Sequence, residues 1–221
     1  MFEQEIDNAL KVLRNGGTIL YPTDTIWGIG CDATSEKAVE KVLEIKKRTA
    51  AIPTQKGEDG ANRSLQGRGQ AGNKSFIALV SDPGMLNRFV KEVPEMAWDL
   101  MDTSSPEKDD EPAKPLTIIY DAARGLAKNV LAKDGSIGIR LVKREANEFC
   151  HRLIHKFGKP IVSTSANISG SPSPKDFSEI AEDIISNVGL VVHLHTPYSI
   201  LHIPSSIIKL KANGEFKIIR E

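Results

Sequence analysis

The chain is predicted to be an α/β or α+β domain built on a mixed sheet. Three observations carry this. Strand-like and helix-like runs are interspersed along the sequence, but they do not alternate strictly as in a doubly wound fold. Several strand-like runs return through short turns in the manner of hairpins, as at Asn213-Gly214. The length of 221 residues with 40% apolar content suffices for one large domain with a real core.

Each element follows from local pattern. Phe2, Ile6, Leu10 and Leu13 recur at helical spacing, and Gly16-Gly17 ends that helix. Residues 18–21 read as a strand. Residues 35–48 read as a helix with Ser35 as N-cap, an apolar stripe at Ala38, Val39, Val42 and Leu43, and a last turn of Lys46-Lys47-Arg48 that suits the helix dipole. Residues 49–74 hold four glycines before position 70 and few apolar side chains, so they are expected to form a flexible, poorly packed insertion. A strand at 76–80, a turn at 81–84 and helices near 84–90 and 94–101 follow. Residues 102–114, heavy in Asp, Glu and Pro, are a second expected flexible loop. Strands are then predicted at 116–120, 136–142, from 161, and at 190–194, 206–210 and 216–219. Helices are predicted at 122–132, 144–157 and 177–187. One domain spanning 1–221 is expected.

Composition narrows function. The 29 basic and 29 acidic residues cancel, which argues against a chain-wide nucleic-acid footprint and leaves room for a local basic patch. Cys31 and Cys150 have neither metal spacing nor a disulfide framework, so they read as small buried hydrophobes in a reducing compartment. The start Met-Phe-Glu-Gln-Glu is not a signal peptide, and no run approaches the roughly 20 apolar residues of a membrane span. A soluble cytoplasmic protein is expected. There is no P-loop and no G-x-G-x-x-G, so any nucleotide is held another way.

Four segments could carry chemistry. Thr23-Asp24-Thr25 follows a strand whose exit is fixed by Pro22; its hydroxyls can bind an amino acid or a phosphate, or Asp24 can simply cap a turn. Lys46-Lys47-Arg48 is either a solvated helix end or an anion site, with Arg the better match to carboxylate or phosphate. Arg140 sits in an otherwise apolar strand and must reach a carboxylate, a ligand or a strand edge. Ser163-Thr164-Ser165-Ala166-Asn167 ends an apolar run. Alternation puts Ser163 and Ser165 on one face and Thr164 on the other. Asn167 suits an adenine edge, a ribose or a neighbouring loop, and a Ser/Asn-stabilised turn is the plainer reading. His193 and His195 would share a strand face, but no third metal ligand is within reach by sequence, and no metal site on the protein is expected. No Ser-His-Asp arrangement can be argued from spacing.

Taken in order, Gly16-Gly17-Thr18-Ile-Leu-Tyr21-Pro22-Thr23-Asp24-Thr25-Ile-Trp27-Gly28-Ile-Gly30, Lys46 with Arg48, Ser136-Ile-Gly-Ile-Arg140, Ser163-Thr-Ser-Ala-Asn167-Ile-Ser-Gly170 and Pro204-Ser205-Ser206-Ile207-Ile208 resemble the YrdC-like family, the threonylcarbamoyl-AMP synthases. The resemblance covers nearly the whole chain. It implies a twisted, mixed, largely parallel sheet with helices packed around it and a deep basic cavity. It implies synthesis of threonylcarbamoyl-adenylate and pyrophosphate from ATP, L-threonine and bicarbonate, with Mg2+ accompanying ATP, for t6A37 modification of tRNA. Carried over by position, Lys46 and Arg48 are catalytic, and Thr23, Thr25 and Arg48 bind threonine. Lys46, Arg140, Ser163, Ser165, Asn167 and Ser205 bind ATP. tRNA or double-stranded RNA and other t6A-pathway proteins are implied partners, and no membrane is. Trp27 stands where a tyrosine is usual, Thr49 where a proline follows Arg48, and Asp121-Ala122 where a Pro-Gly pair is common. The alternatives are a relative without synthase activity that binds RNA or ribosomal particles, and a carbamoyl- or adenylyl-transfer enzyme with another substrate.

Overall fold

The computed structural model describes residues 2–47, 76–103, 115–194 and 204–221. Helix α1 (Phe2–Arg14) buries Ile6, Ala9, Leu10 and Leu13, as its periodicity predicts. The chain then forms β1 (Ile19–Pro22) and returns at once as β2 (Trp27–Gly30). Strand β2 was not anticipated, because glycine at every second position hides its alternation. Helix α2 (Glu36–Ile45) begins at Ser35, whose side chain accepts from Ala38 N. After β3 (Ile77–Val80), the predicted turn at 81–84 is instead a helix start: Asp82 accepts from Met85 N at 2.8 Å, and Pro83 opens α3 (Pro83–Phe89). Helix α4 (Glu95–Thr103) takes the first two residues of the predicted loop at 102–114. The rest of that loop, the segment 49–74, Arg48 and His195 lie outside the described residues.

Strands β4 (Leu116–Tyr120) and β5 (Ile137–Leu141) match their predicted positions. The helix predicted at 122–132 shrinks to a single 3-10 turn, Lys128–Val130. The backbone of its first half is already engaged elsewhere. Arg124 N donates to Phe89 O at 2.9 Å, Ala122 O accepts from Lys91 N at 3.0 Å, and Gly125 takes φ +69°. Helix α5 (Glu148–Phe157) starts later than predicted, because Asn147 caps it through Cys150 N. Gly158, at φ +75°, ends it. Strand β6 (Ile161–Ser165) carries through the hydroxyl run. The helix predicted at 177–187 splits into a 3-10 turn, Phe177–Glu179, and α6 (Glu182–Ile185), with Ile180 and Ala181 extended between them. Strand β7 (Leu190–Val191) is shorter than predicted, pairing only with Ile19 and Leu20. Strands β8 (Ser206–Leu210) and β9 (Phe216–Arg220) close the chain.

The nine strands make one mixed sheet in the order β7-β1-β2-β6-β3-β5-β4-β8-β9. It is not largely parallel. Only β1–β7, β3–β5 and β4–β8 pair in parallel, and the other five pairings are antiparallel. The reason is local: β1–β2 and β8–β9 are hairpins, and antiparallel β6 separates β2 from β3. Register sorts the side chains by face. Leu20, Ile29, Val162, Ala78, Ile139 and Ile118 share the apolar face. Tyr21, Gly28, Ser163, Ser165, Gly138, Arg140, Thr117 and Arg220 share the other. Helices α1 and α5 pack on each other, with Phe2 edge-on to Phe149 at 6.0 Å. No described helix is long and apolar enough to cross a membrane.

Glycine is required on the polar face. A Cβ at Gly30 would lie 2.7 Å from the Tyr21 ring and 2.9 Å from Val162 O, so the tyrosine folds over bare backbone. Gly30→Ala is expected to cost about 1–3 kcal/mol by overpacking, read as a fall in the urea midpoint with m unchanged. An unshifted midpoint would show that the ring can move aside.

Candidate functional site

The β1–β2 turn is stitched by one hydroxyl. Thr23 Oγ1 accepts from Thr25 N at 3.1 Å and Ile26 N at 3.2 Å, donates to Ile26 O at 2.7 Å, and lies 2.9 Å from Thr25 Oγ1. These contacts fill its capacity. Thr23 therefore shapes the turn, and Thr25 is the hydroxyl turned toward Arg140, whose Nη1 donates to it at 3.3 Å. Gly28 brings the second polar segment in. A Cβ there would meet Thr23 Cγ2 at 3.2 Å and Ser163 Oγ at 3.3 Å, so both side chains crowd the space above one glycine.

Arg140 finds its carboxylate in the same turn. Its Nη2 is 2.8 Å from Asp24 Oδ1, and each side chain is only 4% exposed. The contact is an ion pair without directed hydrogen-bond geometry, since Asp24 Oδ1 and Arg140 Nε both lack hydrogen-bond partners. Asp24 is thus no backbone cap. The pair also spans the sheet. Strands β6 and β3 lie between β2 and β5. At about 4.8 Å per strand, β2 and β5 are about 14 Å apart in a flat sheet. The long Arg140 side chain and the Asp24 turn together bridge that width across the polar face.

A second cluster forms where α2 ends. Lys46, 4% exposed, donates through Nζ to Ser165 O at 2.6 Å, Asn167 O at 2.7 Å and Asn167 Oδ1 at 3.2 Å. Its own carbonyl accepts from Ser169 N at 3.1 Å. Ser165 Oγ and Asn167 Oδ1 bond each other, and Asn167 Nδ2 donates to Ser171 O. A third cluster lies across β4 and β8. Ser205 Oγ and Thr117 Oγ1 are 2.8 Å apart and both are buried.

Sequence reasoning missed Arg220. It clamps Ser205 O from Nε at 3.0 Å and Nη2 at 2.7 Å, with Ser205 Oγ at 3.4 Å from Nη2. Burial, and then the nearby Arg140 charge, push its pKa down. The available signal was a cation closing a strand that carries Phe216, Ile218 and Ile219, weaker than at Arg140 because Lys217 interrupts the apolar run.

The site therefore gathers Thr23, Thr25, Arg140 and Ser163, joins them along β6 to Ser165, Asn167 and Lys46, and continues across β4 to Ser205. Arg48 lies outside the described residues. The remaining titratable groups are held neutral. Burial raises the Tyr21 phenol far above its usual range, and burial followed by the Asp24 charge raises the Cys150 thiol. Cys150 is accordingly a thiol that donates to Pro22 O at 3.4 Å, not a nucleophile. Three cations, Lys46, Arg140 and Arg220, against the single carboxylate Asp24 suit anionic oxygens, and the hydroxyls and amide suit small polar groups.

Fold and site together define an α/β protein whose polar sheet face gathers cations and hydroxyls from separate stretches of chain. Residues 11–55 and 57–221 match the model of the Sua5–YciO–YrdC family, described as telomere recombination, and the chain belongs to that family. It is 26% identical over 205 residues to a threonylcarbamoyl-AMP synthase of Psychromonas ingrahamii, covering 93% of this chain and 92% of that one. It is 26% identical to the threonylcarbamoyl-AMP synthase of Pyrococcus abyssi over 86% of this chain but 46% of that protein. The fold matches the crystal structure of P. abyssi Sua5 complexed with L-threonine (TM-score 0.72, 24% identity, 95% of this chain). This chain spans about half, 52%, of that one. It also matches E. coli YciO (TM-score 0.70, 22% identity, 100% of this chain and 90% of that one).

Breaking the Asp24–Arg140 pair from one side leaves a buried charge. Asp24→Ala is expected to lower stability by about 3–5 kcal/mol in chemical denaturation, and Asp24→Ala with Arg140→Met is expected to recover part of that. A double variant as unstable as the sum of the single ones would show that the two side chains act independently.

Proposed function

We propose that the chain is an L-threonylcarbamoyladenylate synthase, joining ATP, L-threonine and bicarbonate into threonylcarbamoyl-AMP and pyrophosphate for t6A37 modification of tRNA. The observation that supports this reading is that Thr25 contacts Arg140 while the strand register puts Ser163, Ser165 and Arg140 on one sheet face, with Lys46 bound to Ser165 and Asn167 at its edge and Ser205 bound to Thr117 of the same face. The named activity of relatives matched over nearly their full length supports it, as does the L-threonine complex of the P. abyssi protein of the same fold.

In this reading the threonine amine, once deprotonated, attacks CO2 or bicarbonate to give N-carboxythreonine. That carboxylate attacks the α-phosphorus of ATP, and pyrophosphate leaves. Thr25 receives the amino acid within a turn that Thr23 keeps rigid, and Arg48 meets an anionic group of the substrates. Lys46 and Arg140 neutralise phosphate charge, and Ser163, Ser165 and Asn167 orient the nucleotide. Ser205 closes the site. The protein supplies placement and fixed positive charge, with no covalent enzyme intermediate. Among the described residues no group of three or more His, Cys, Asp or Glu side chains could hold a metal ion, and Asp24 is committed to Arg140. Magnesium accompanies the ATP substrate, where it offsets phosphate charge.

The test is pyrophosphate release that requires both threonine and bicarbonate. Arg48→Ala is expected to reduce it at least about tenfold, near 1.4 kcal/mol in the transition state. Unchanged release would remove Arg48 from the site. No release by the unaltered chain, together with RNA affinity that falls steeply with salt, would favour a binding protein instead.

A further inference from the structure

The outer face of α5 carries a second feature that the sheet-face site does not use. Arg144, His151, Arg152, His155 and Lys156 line an open cleft of about 410 Å³. Every side chain in that lining is a cation or can become one. Spacing of three and four residues along α5 places His151, His155, Arg152 and Lys156 on one surface. The opposite side of the helix buries Phe149, Cys150, Leu153, Ile154 and Phe157. The two imidazoles lie face to face, with ring centroids 6.1 Å apart and planes 8° from parallel. His151 Nδ1 is buried and has no hydrogen-bond partner among the described residues.

The surrounding charges nearly cancel. Glu3 of α1 pairs with Arg152, and with Lys156 at 2.8 Å. Glu148 pairs with Arg144 at 2.9 Å and stands 3.7 Å from Arg152. Glu145 lies beside His151 on the same segment. From the start of α3, Asp82 Oδ2 stands 3.9 Å from His155 Nδ1, and Arg88 of the same helix acts on Asp82. Four cations, Arg88, Arg144, Arg152 and Lys156, thus offset four carboxylates, Glu3, Glu145, Glu148 and Asp82, and Arg14 of α1 adds a fifth cation, donating to Lys156 O at 3.3 Å. The cleft is therefore basic before either imidazole is charged, and protonation of both adds two further charges.

We propose that this cleft is a binding site for a compact phosphate-class dianion, occupied when His151 and His155 are protonated. Two imidazoliums match one dianion in charge. Glu3 and Glu148 flank the basic side chains, which disfavours an extended polyanion and favours a small ligand. Without an anion, burial, and then the charges of His155 and Arg144, hold the pKa of His151 below its usual value. An anion reverses this by favouring the imidazolium, so affinity for an anion of fixed charge such as sulfate rises as pH falls through the histidine midpoints, while affinity for phosphate peaks where the dianion and the imidazoliums coexist.

The experiment is a proton NMR titration of the imidazole signals of the intact chain from about pH 5 to 8, assigned with His151→Gln and His155→Gln. It is run in inorganic phosphate, in sulfate as a dianion of constant charge, and in chloride at matched ionic strength. The local readout separates this cleft from any phosphate held on the sheet face. Phosphate and sulfate are both expected to raise the His151 and His155 midpoints by about half a unit or more over chloride, and His155→Gln is expected to blunt the response of His151. Midpoints that coincide in all three salts would overturn the proposal. So would midpoints moved by a short single-stranded RNA but not by phosphate or sulfate.

Discussion

The Asp24–Arg140 ion pair is the constraint on which the rest of the site depends. Burying two charges is costly, and an apolar pair of similar volume is often no less stable. What this pair accomplishes is geometric. It ties the β1–β2 turn to β5 across two intervening strands. Thr25 is carried with the turn to Arg140, and Ser163 rises beside Thr23 above Gly28. Neither ion is fully satisfied by the other, so polarity remains available on this face.

Lys46 plays the matching part at the edge. Its ammonium draws the loop after β6 onto the end of α2 through the oxygens of Ser165 and Asn167. Arg220 does the same for Ser205 from β9. In each case a cation holds a backbone carbonyl at the site, so the charges that would meet a substrate also build its walls. Tyr21 and Cys150 stay neutral, which leaves the site to work by position and fixed charge.

Much of this was legible in the sequence because hydroxyls and cations at strand ends are conspicuous against apolar runs. Arg140 in its apolar strand had to reach a carboxylate, a ligand or a strand edge, and it reached the carboxylate of Asp24. Alternation placed Ser163 and Ser165 together, as the pairings of β6 have them. What local pattern could not supply was competition from distant backbone. The 122–132 segment looks helical, yet its carbonyls and amides are taken by residues 89–91. Strand directions were misjudged because β2 is disguised by its glycines, and without it the first hairpin is invisible. Arg220 went unnoticed because its importance lies in Ser205, fifteen residues away in sequence.

The three oxygens around the Lys46 ammonium have a consequence for occupancy. A phosphate reaching this nitrogen finds it already solvated by the protein, so docking there is an exchange of one acceptor for another. Such a swap adds little affinity, because each gained contact is set against one surrendered. It also means that any anion leaving this nitrogen leaves behind a lysine whose former neighbours stand ready to reclaim it. The scaffold is then the same before and after occupancy, with no stranded charge.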